Sequence, residues 1–275
     1  MLYYPEAKSS CLKQQQFAYL KIELVDHELK IRLNRPDKKN ALNHTLMREL
    51  AYALSMAHND PEIWLVRISA EGNVFCAGAD LKTFAGEPDE PTNSAIRPDE
   101  GHVLIGDLFK NILKPWIAQV EGPIYAGGFL ITGGCQFVVV ADHLQFSLPE
   151  VQRGIFPFQV MATLLKRTKP MDVLRLCILG NEINAHQALQ LGLVTDVVPA
   201  SDVSTRADQL ATTIKRGSPS AIRAGLKAFS ELEELAPHEQ HFYLREQLSQ
   251  LLESADAKEG IAAFREKRPP KWSGQ

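Results

Sequence analysis

The spacing of apolar positions changes several times along the chain, and each change marks an element. From Phe17 to Val25, and again from Leu29 to Leu33, apolar side chains (Tyr19, Ile22, Leu24; Ile31, Leu33) interleave with polar ones as in half-buried strands. Asp26-His27 between them reads as a turn. Arg35-Pro36-Asp37 ends the second strand, because proline has no N–H for a sheet ladder. Between Asn43 and Asn59 the spacing lengthens to that of a helix. Leu46, Leu50, Leu54 and Ala57 form one stripe, and Asn43 is placed to cap it.

A buried strand is predicted over Ile63–Ile68. The segment from Gly86 to Gly101, rich in Pro, Asp, Glu, Asn and Ser, reads as a mobile loop. A helix (Val103–Leu113), a strand (Trp116–Val120) and a glycine-rich turn opening a further helix at Ala126 follow. Phe137–Val140 and Gln145–Leu148 are read as strands. Beyond Val151 the pattern is helical, with one strand near Leu193–Val198, and amphipathic helices dominate from Ser201. The expected organisation is a flexible tail over 1–16, an α/β core over 17–200 and a helical C-terminal region over 201–275.

Composition narrows the function classes. With 275 residues, 45% hydrophobic and 23% charged, the chain can bury a full core as one large α/β domain with a helical appendage. A net charge of -3 gives no overall attraction to nucleic acid, so a polyanionic ligand would need a local basic site. Cys11, Cys76, Cys135 and Cys177 form no Cys-x-x-Cys pair, and no His-Glu-x-x-His occurs among the eight histidines; no metal site is expected, and the thiols read as free. Met1–Gln16 lacks a secretory pattern and no stretch is long enough to span a bilayer. The expectation is a soluble, cytoplasmic protein without a membrane partner.

Two small-residue turns carry candidate chemistry: Cys76-Ala77-Gly78-Ala79-Asp80, and Gly122-Pro123 through Ala126-Gly127-Gly128. Such turns let backbone N–H groups approach a ligand, and two aimed at one point make an oxyanion hole; tight strand–helix packing would also demand small residues. A third feature is Glu150, after Pro149 and amid Phe146, Leu148, Val151, Ile155 and Phe156. Burial there would raise its pKa toward a useful general base, whereas an exposed loop glutamate would not be perturbed. No Gly-x-Gly-x-x-Gly follows the first strand, which removes a dinucleotide-binding reading. The absence of a Gly-x-Ser-x-Gly elbow removes a serine hydrolase one.

Taken in order, these segments resemble the crotonase (enoyl-CoA hydratase/isomerase) superfamily. The resemblance rests on Ile31–Leu42 with Arg35-Pro36-Asp37-Lys38-Lys39-Asn40, on Phe75–Lys82, and on Lys114–Pro123. It continues through Phe146–Glu150, Ala185–Pro199 and the closing stretch from Glu259-Gly260 to Lys267-Arg268. It implies an α/β fold: a crotonase-like spiral of ββα units with a C-terminal helical region that completes the CoA site and builds a homotrimer or a dimer of trimers. It also implies an acyl-CoA thioester substrate, with coenzyme A part of that substrate and no separate cofactor. The N–H groups of Ala79 and Gly127 would form the oxyanion hole. Ala77, Ala79, Asp80, Leu81 and Lys82 would contact the CoA portion, and Lys39 and Lys267 are candidates for its phosphates.

The departures from the family pattern carry a chemical direction. Where the hydratases have Gly-Gly-Gly-Cys-Glu, this chain has Ala126-Gly127-Gly128-Phe129-Leu130, so Leu130 stands in place of the first glutamate. The second, twenty positions later, is retained as Glu150. Hydration uses two carboxylates, whereas shifting a double bond needs one base, which takes a proton from C2 and returns it at C4 through a dienolate. The Δ3,Δ2-enoyl-CoA isomerases are similar, with Ala-Gly-Gly-Cys-Leu and one later glutamate. Phe129-Leu130 and Phe156-Pro157-Phe158 would then line a dry pocket. Isomerisation with Glu150 as base is the leading expectation. The alternatives are a one-glutamate hydratase or lyase on an unusual acyl group, and a CoA-binding homologue without catalysis.

Overall fold

The chain enters the fold through a hairpin. Strands β1 (Leu20–Val25) and β2 (Glu28–Leu33) pair antiparallel, with Val25 opposite Glu28. The two residues between them, Asp26 and His27, have φ of 48° and 62°, the left-handed geometry whose twist suits a two-residue hairpin. This is a computed structural model, and it describes residues 4–8, 10, 12, 15–96, 103–109 and 112–275 (of Phe84, the backbone only). Cys11, the end of the 86–101 segment and parts of the tail and of the expected 103–113 helix fall outside the described residues.

Beyond the hairpin all strands of the main sheet run parallel. β3 (Leu65–Ala70), β4 (Trp116–Val120), β5 (Phe137–Ala141) and β8 (Asp196–Val198) follow in the order β1-β2-β3-β4-β5-β8. The mostly apolar, buried runs of β4 and β5 are those of strands covered on both faces. Gln136 has a structural task here: its side-chain oxygen accepts the Trp116 N–H at 2.8 Å, closing the start of the β4–β5 ladder.

A second ladder makes the fold a spiral. Past each parallel strand the chain turns and bridges to the neighbouring turn: Leu42 with Ala79, Cys76 with Ile124, and Tyr125 with Ser147. A short antiparallel pair, β6 (Gln145–Phe146) with β7 (Ile183–Asn184), extends it. Each repeat is therefore strand, second-ladder segment, helix. The helices are α1 (His44–Asn59), α2 (Leu81–Phe84), α4 (Phe129–Thr132) and α5 (Phe158–Leu164), with α3 (Ile105–Leu108) inserted before β4. This is the expected α/β spiral.

Helix α1 begins as expected, with the Asn43 side chain accepting the Leu46 N–H at 2.9 Å. Its burial extends well beyond one stripe. Glu49 and Ser55 are buried too, because Glu49 accepts the N–H groups of Ala18 and Tyr19 and Ser55 accepts that of Tyr4. The N-terminal tail thus contributes Tyr4 and Ala7 to the core. The 86–96 segment is also built in, contrary to a loop wholly outside the core. Asp89 accepts the Thr45 N–H at 2.6 Å at the start of α1, and Ile96 is buried. The Asn43 side chain satisfies only the Leu46 N–H, and the Thr45 N–H at the positive end of the helix dipole attracts the Asp89 carboxylate.

The remaining helices are α6 (Pro170–Leu179), α7 (Ala185–Gln190), α8 (Val203–Arg216), α9 (Pro219–Leu232), α10 (Pro237–Leu251) and α11 (Ala255–Glu266). Helix α8 buries Val203, Ala207 and Ala211, one turn apart, and packs across β3, β4 and β5. Arg67 of β3 holds it there, bonded to Glu28 at 2.5 Å and to Asp208 of α8 at 2.7 Å. Helices α10 and α11 pack on α9. Among the described residues no helix is long and apolar enough to cross a membrane, and no three ligating side chains gather to hold a metal ion.

Candidate active site

The turns after β3 and β4 meet at two amide groups that have no acceptor. Ala79 is bridged to Leu42: Leu42 N–H donates to the Gly78 carbonyl at 2.8 Å, and Asp80 N–H donates to the Leu42 carbonyl at 2.9 Å. In a parallel bridge the central residue's own N–H faces the opposite side, so Ala79 turns its N–H toward the next loop. There Ala126 N–H donates to Ser147 at 3.0 Å and Gly128 N–H to Tyr125 at 2.9 Å. Gly127 N–H is left between them. Among the described residues neither the Ala79 nor the Gly127 N–H has a hydrogen-bond acceptor. Both residues are half-buried, and two unpaired donors side by side can cradle an anion or a carbonyl oxygen.

Local geometry dictates the small residues. A Cβ on Gly127 would lie 3.4 Å from Ala79 N, filling the gap between the two amides. Gly78 has φ 89°, and a Cβ there would meet Ala126 Cβ at 2.6 Å and Gly127 N at 2.9 Å. Only glycine lets the two turns approach this closely. Ala126 itself is held at φ 51°, the left-handed region that costs an alanine energy.

Glu150 comes from the third turn. Ser147 is bridged to Tyr125, and Pro149 then starts a short 3-10 helix, Pro149–Arg153, closed by Gly154 at φ 76°. Helix α6 packs on this segment, with Gln152 donating to the Gly180 carbonyl at 3.2 Å. Glu150 is only 7% exposed, and its Oε2 has no hydrogen-bond partner. Burial raises its pKa above the usual carboxylate value, only partly offset by its own backbone N–H and by Arg153. Beneath it, burial and the charge of Glu150 push the Cys177 thiol up to about 11. Cys76, Cys135 and Cys177 are all buried free thiols.

The remaining predicted residues divide. Leu130 is buried in α4, directly after the glycine turn, and no carboxylate occupies its place. Phe129 turns into the core against Phe146, rather than lining a pocket beside Leu130. Phe158 packs on Phe156, yet is 68% exposed. Ala77 donates its N–H to the Lys39 carbonyl at 3.0 Å, which brings exposed Lys39 beside the first turn. Leu81 and Lys82 are exposed at the start of α2, where Lys82 lies 3.4 Å from Glu90. Lys267 ends α11, among the C-terminal helices rather than at the turns.

Two positioning residues escaped the sequence reading. Arg35, read there as a strand terminator and part of the family's opening motif but given no partner, is buried and pairs with Asp80 at 2.7 Å. Burial raises Asp80, but the Arg35 hydrogen bond and the Lys82 N–H outweigh it and hold the carboxyl below its ordinary value. Asn40, fully buried, accepts the Arg35 N–H and donates to the carbonyls of Glu71 and Val74. The available signal was Asp80 itself: a carboxylate in a small-residue loop needs a counter-charge.

Comparison with known proteins places this geometry. The family described as Enoyl-CoA hydratase/isomerase matches residues 28–275. The chain belongs to the enoyl-CoA hydratase/isomerase family. It is 34% identical over 258 residues to the enoyl-CoA hydratase EchA19 of Mycobacterium tuberculosis, covering 92% of this chain and 96% of that one. It is 33% identical over 248 residues to the 2,3-dehydroadipyl-CoA hydratase of Escherichia coli, covering 90% and 95%. Among solved structures, an enoyl-CoA hydratase of M. tuberculosis H37Rv superposes with a TM-score of 0.82 at 30% identity, covering 94% of this chain and all of that one. Membership in this family of enzymes is thereby shown, as is the crotonase-type fold.

Proposed function

We propose that this family member moves a double bond within an enoyl-CoA, with Glu150 as its single proton carrier. The observation that carries the reading is the pairing of a buried carboxylate, whose Oε2 has no partner, with Leu130 where a second carboxylate would stand. The thioester carbonyl sits between the N–H groups of Ala79 and Gly127. Glu150 takes a proton from C2, and the electron pair spreads over the carbonyl oxygen and C4 as a dienolate. The two N–H groups stabilise the oxygen's negative charge. Glu150 then returns the proton at C4, leaving the 2,3-double bond. A raised pKa suits this work, because the same group must hold and release a proton near neutral pH.

Ala77, Ala79, Asp80, Leu81 and Lys82 line the CoA portion in this reading, with Lys39 beside them. Leu130 and Phe158 border the acyl group. Helix α10 buries no residue and exposes Phe242, Leu244 and Leu248, with Leu252 exposed just after it, which supports assembly as a trimer or pair of trimers, and that assembly would bring Lys267 to a neighbouring site.

Hydration by Glu150 alone is the second reading, favoured by the names of the relatives, which are hydratases. A 2-enoyl-CoA and a 3-enoyl-CoA, each turned over in heavy-oxygen water, separate the two. The proposal expects interconversion of the esters without label. Label in a 3-hydroxyacyl product overturns it in favour of hydration.

A further inference from the structure

Ala79 offers its N–H from a peptide plane that it shares with the Gly78 carbonyl. In a trans peptide the C=O and the N–H point opposite ways, so whatever holds the one aims the other. The Gly78 carbonyl accepts the Leu42 N–H at 2.8 Å. Leu42 in turn shares its plane with the Ala41 carbonyl, and that oxygen accepts Nη1 of Arg35 at 3.1 Å. Arg35, two peptide groups and the open N–H of Ala79 therefore form one line of donors and acceptors, head to tail.

The head of this line is fixed on every side. The same Nη1 donates to Asp80 Oδ2 at 2.7 Å, and the guanidinium lies 5.1 Å from the centre of the Tyr19 ring. The Arg35 N–H donates to the Asn40 side chain at 2.9 Å. Lys39 and Asn40 stand at φ 51° and 53°, a left-handed pair that persists only where neighbours impose it. Here the Glu71 and Val74 carbonyls accept Asn40 Nδ2, while the Ala77 N–H and the Cys76 thiol donate to the carbonyls of Lys39 and Asn40. Asp80 completes the hold: its N–H donates to the Leu42 carbonyl at 2.9 Å, and its Oδ1 accepts the Lys82 N–H at 3.1 Å.

Stability alone gives such an arrangement little reason. Two charges taken out of water recover their desolvation only in part, and apolar packing often serves a fold as well. What a planar, rigid guanidinium supplies is direction. Asp80 offsets the charge of Arg35, so the effect along the line is one of aim rather than of field. Aim is what a carbonyl cradle needs, since a misplacement of about 1 Å can cost a reaction roughly 10²-fold. The Gly127 N–H has a separate hold, because it shares its plane with the Ala126 carbonyl, which accepts the Phe129 N–H.

We infer that Arg35 is a positioning residue for the thioester: buried and acting through the Ala41–Leu42 and Gly78–Ala79 peptide groups, it aims the Ala79 N–H. The inference rests on the reading of Ala79 and Gly127 as the seat of the thioester carbonyl, and it gives one half of that seat its source of rigidity.

Infrared difference spectra of a bound saturated acyl-CoA, isotope-labelled at the thioester carbonyl, read the cradle whatever reaction follows. Wild type is expected to hold the carbonyl band below its position in the free ester. Arg35→Met should lose about half of that displacement, because one of the two N–H groups loses its aim and the other keeps it. Should the stranded Asp80 charge prevent folding, Arg35→Met is combined with Asp80→Asn, which removes that charge, and the same loss is expected. An undiminished displacement in a folded Arg35 variant, even one with a lower Tm or weaker affinity, assigns Arg35 to the fold alone. That result overturns the inference and leaves the thioester site standing. No displacement in wild type with the ester bound overturns both.

Discussion

Where strand β3 begins, the C-terminal residues fold back over Pro61 and Trp64, and Asp256 sits beneath them. Its buried carboxylate accepts hydrogen bonds from the hydroxyls of Ser218 and Ser273 and from the N–H groups of Ser220, Ser273 and Gly274. Nearby, buried Lys114 donates to the carbonyls of Asp60 and Ile63. Where the same sheet ends, two backbone N–H groups and one carboxylate oxygen are left without partners. An unsatisfied buried polar group costs about 1–3 kcal/mol. Asp256 and Lys114 at one end are freed of such costs by their partners, whereas Glu150 at the other keeps one, beside two half-buried N–H groups open to a carbonyl.

Changes at the two ends should therefore differ in kind. The largest effect falls on the unsatisfied end: Glu150→Gln is expected to lower kcat by roughly 10²–10⁴ without loss of fold, read by turnover and circular dichroism. Next comes Gly127→Ala. Its methyl would stand at ordinary contact distance from Ala79 N, so the protein folds, yet the cradle is filled and kcat falls by about 10²–10³.

At the satisfied end Asp256→Ala should leave kcat alone and cost about 2–3 kcal/mol in denaturant unfolding, because several buried donors lose their acceptor. Burial raises Asp256, but the hydrogen bonds from Ser273 and Ser220 outweigh it and hold the carboxyl below its ordinary value. Its stabilisation is thus present above the unfolded-state pKa and is lost as pH falls through the lower folded one.

Glu150 has the opposite sign, with a smaller effect. Its folded pKa is raised, so its stabilising contribution is present below the unfolded value and is lost as pH rises through the folded one. Glu150→Gln should accordingly unfold at a higher temperature than wild type at neutral pH, and that gain should shrink in acid. The two variants together invert each other's pH dependence, and parallel behaviour would erase the contrast between the two ends.

The hairpin, the α1 cap and the parallel strands were legible because period and proline placement act locally. Glu150 was legible through the family resemblance, since Pro149 and its apolar neighbours alone left an exposed loop glutamate open. Helices α3 and α4 fall where helices were expected, over 103–113 and from Ala126, but α2 was not read, since one turn shows no period. Arg35–Asp80 spans 45 positions, and the docking of Asp89 on α1 spans 44; local sequence identifies neither partner. Phe129 shows the limit most directly: read as pocket lining, it packs inward on Phe146, a choice made by helices that only the assembled fold supplies.

The central claim, one carboxylate carrying one proton from C2 to C4, is tested most directly with a 3-enoyl-CoA deuterated at C2. The account predicts a 2-enoyl ester of wild type in which part of the deuterium has moved to C4, and no such product from Glu150→Gln. A product that has gained the mass of water, or an equal rate for the variant, would contradict it.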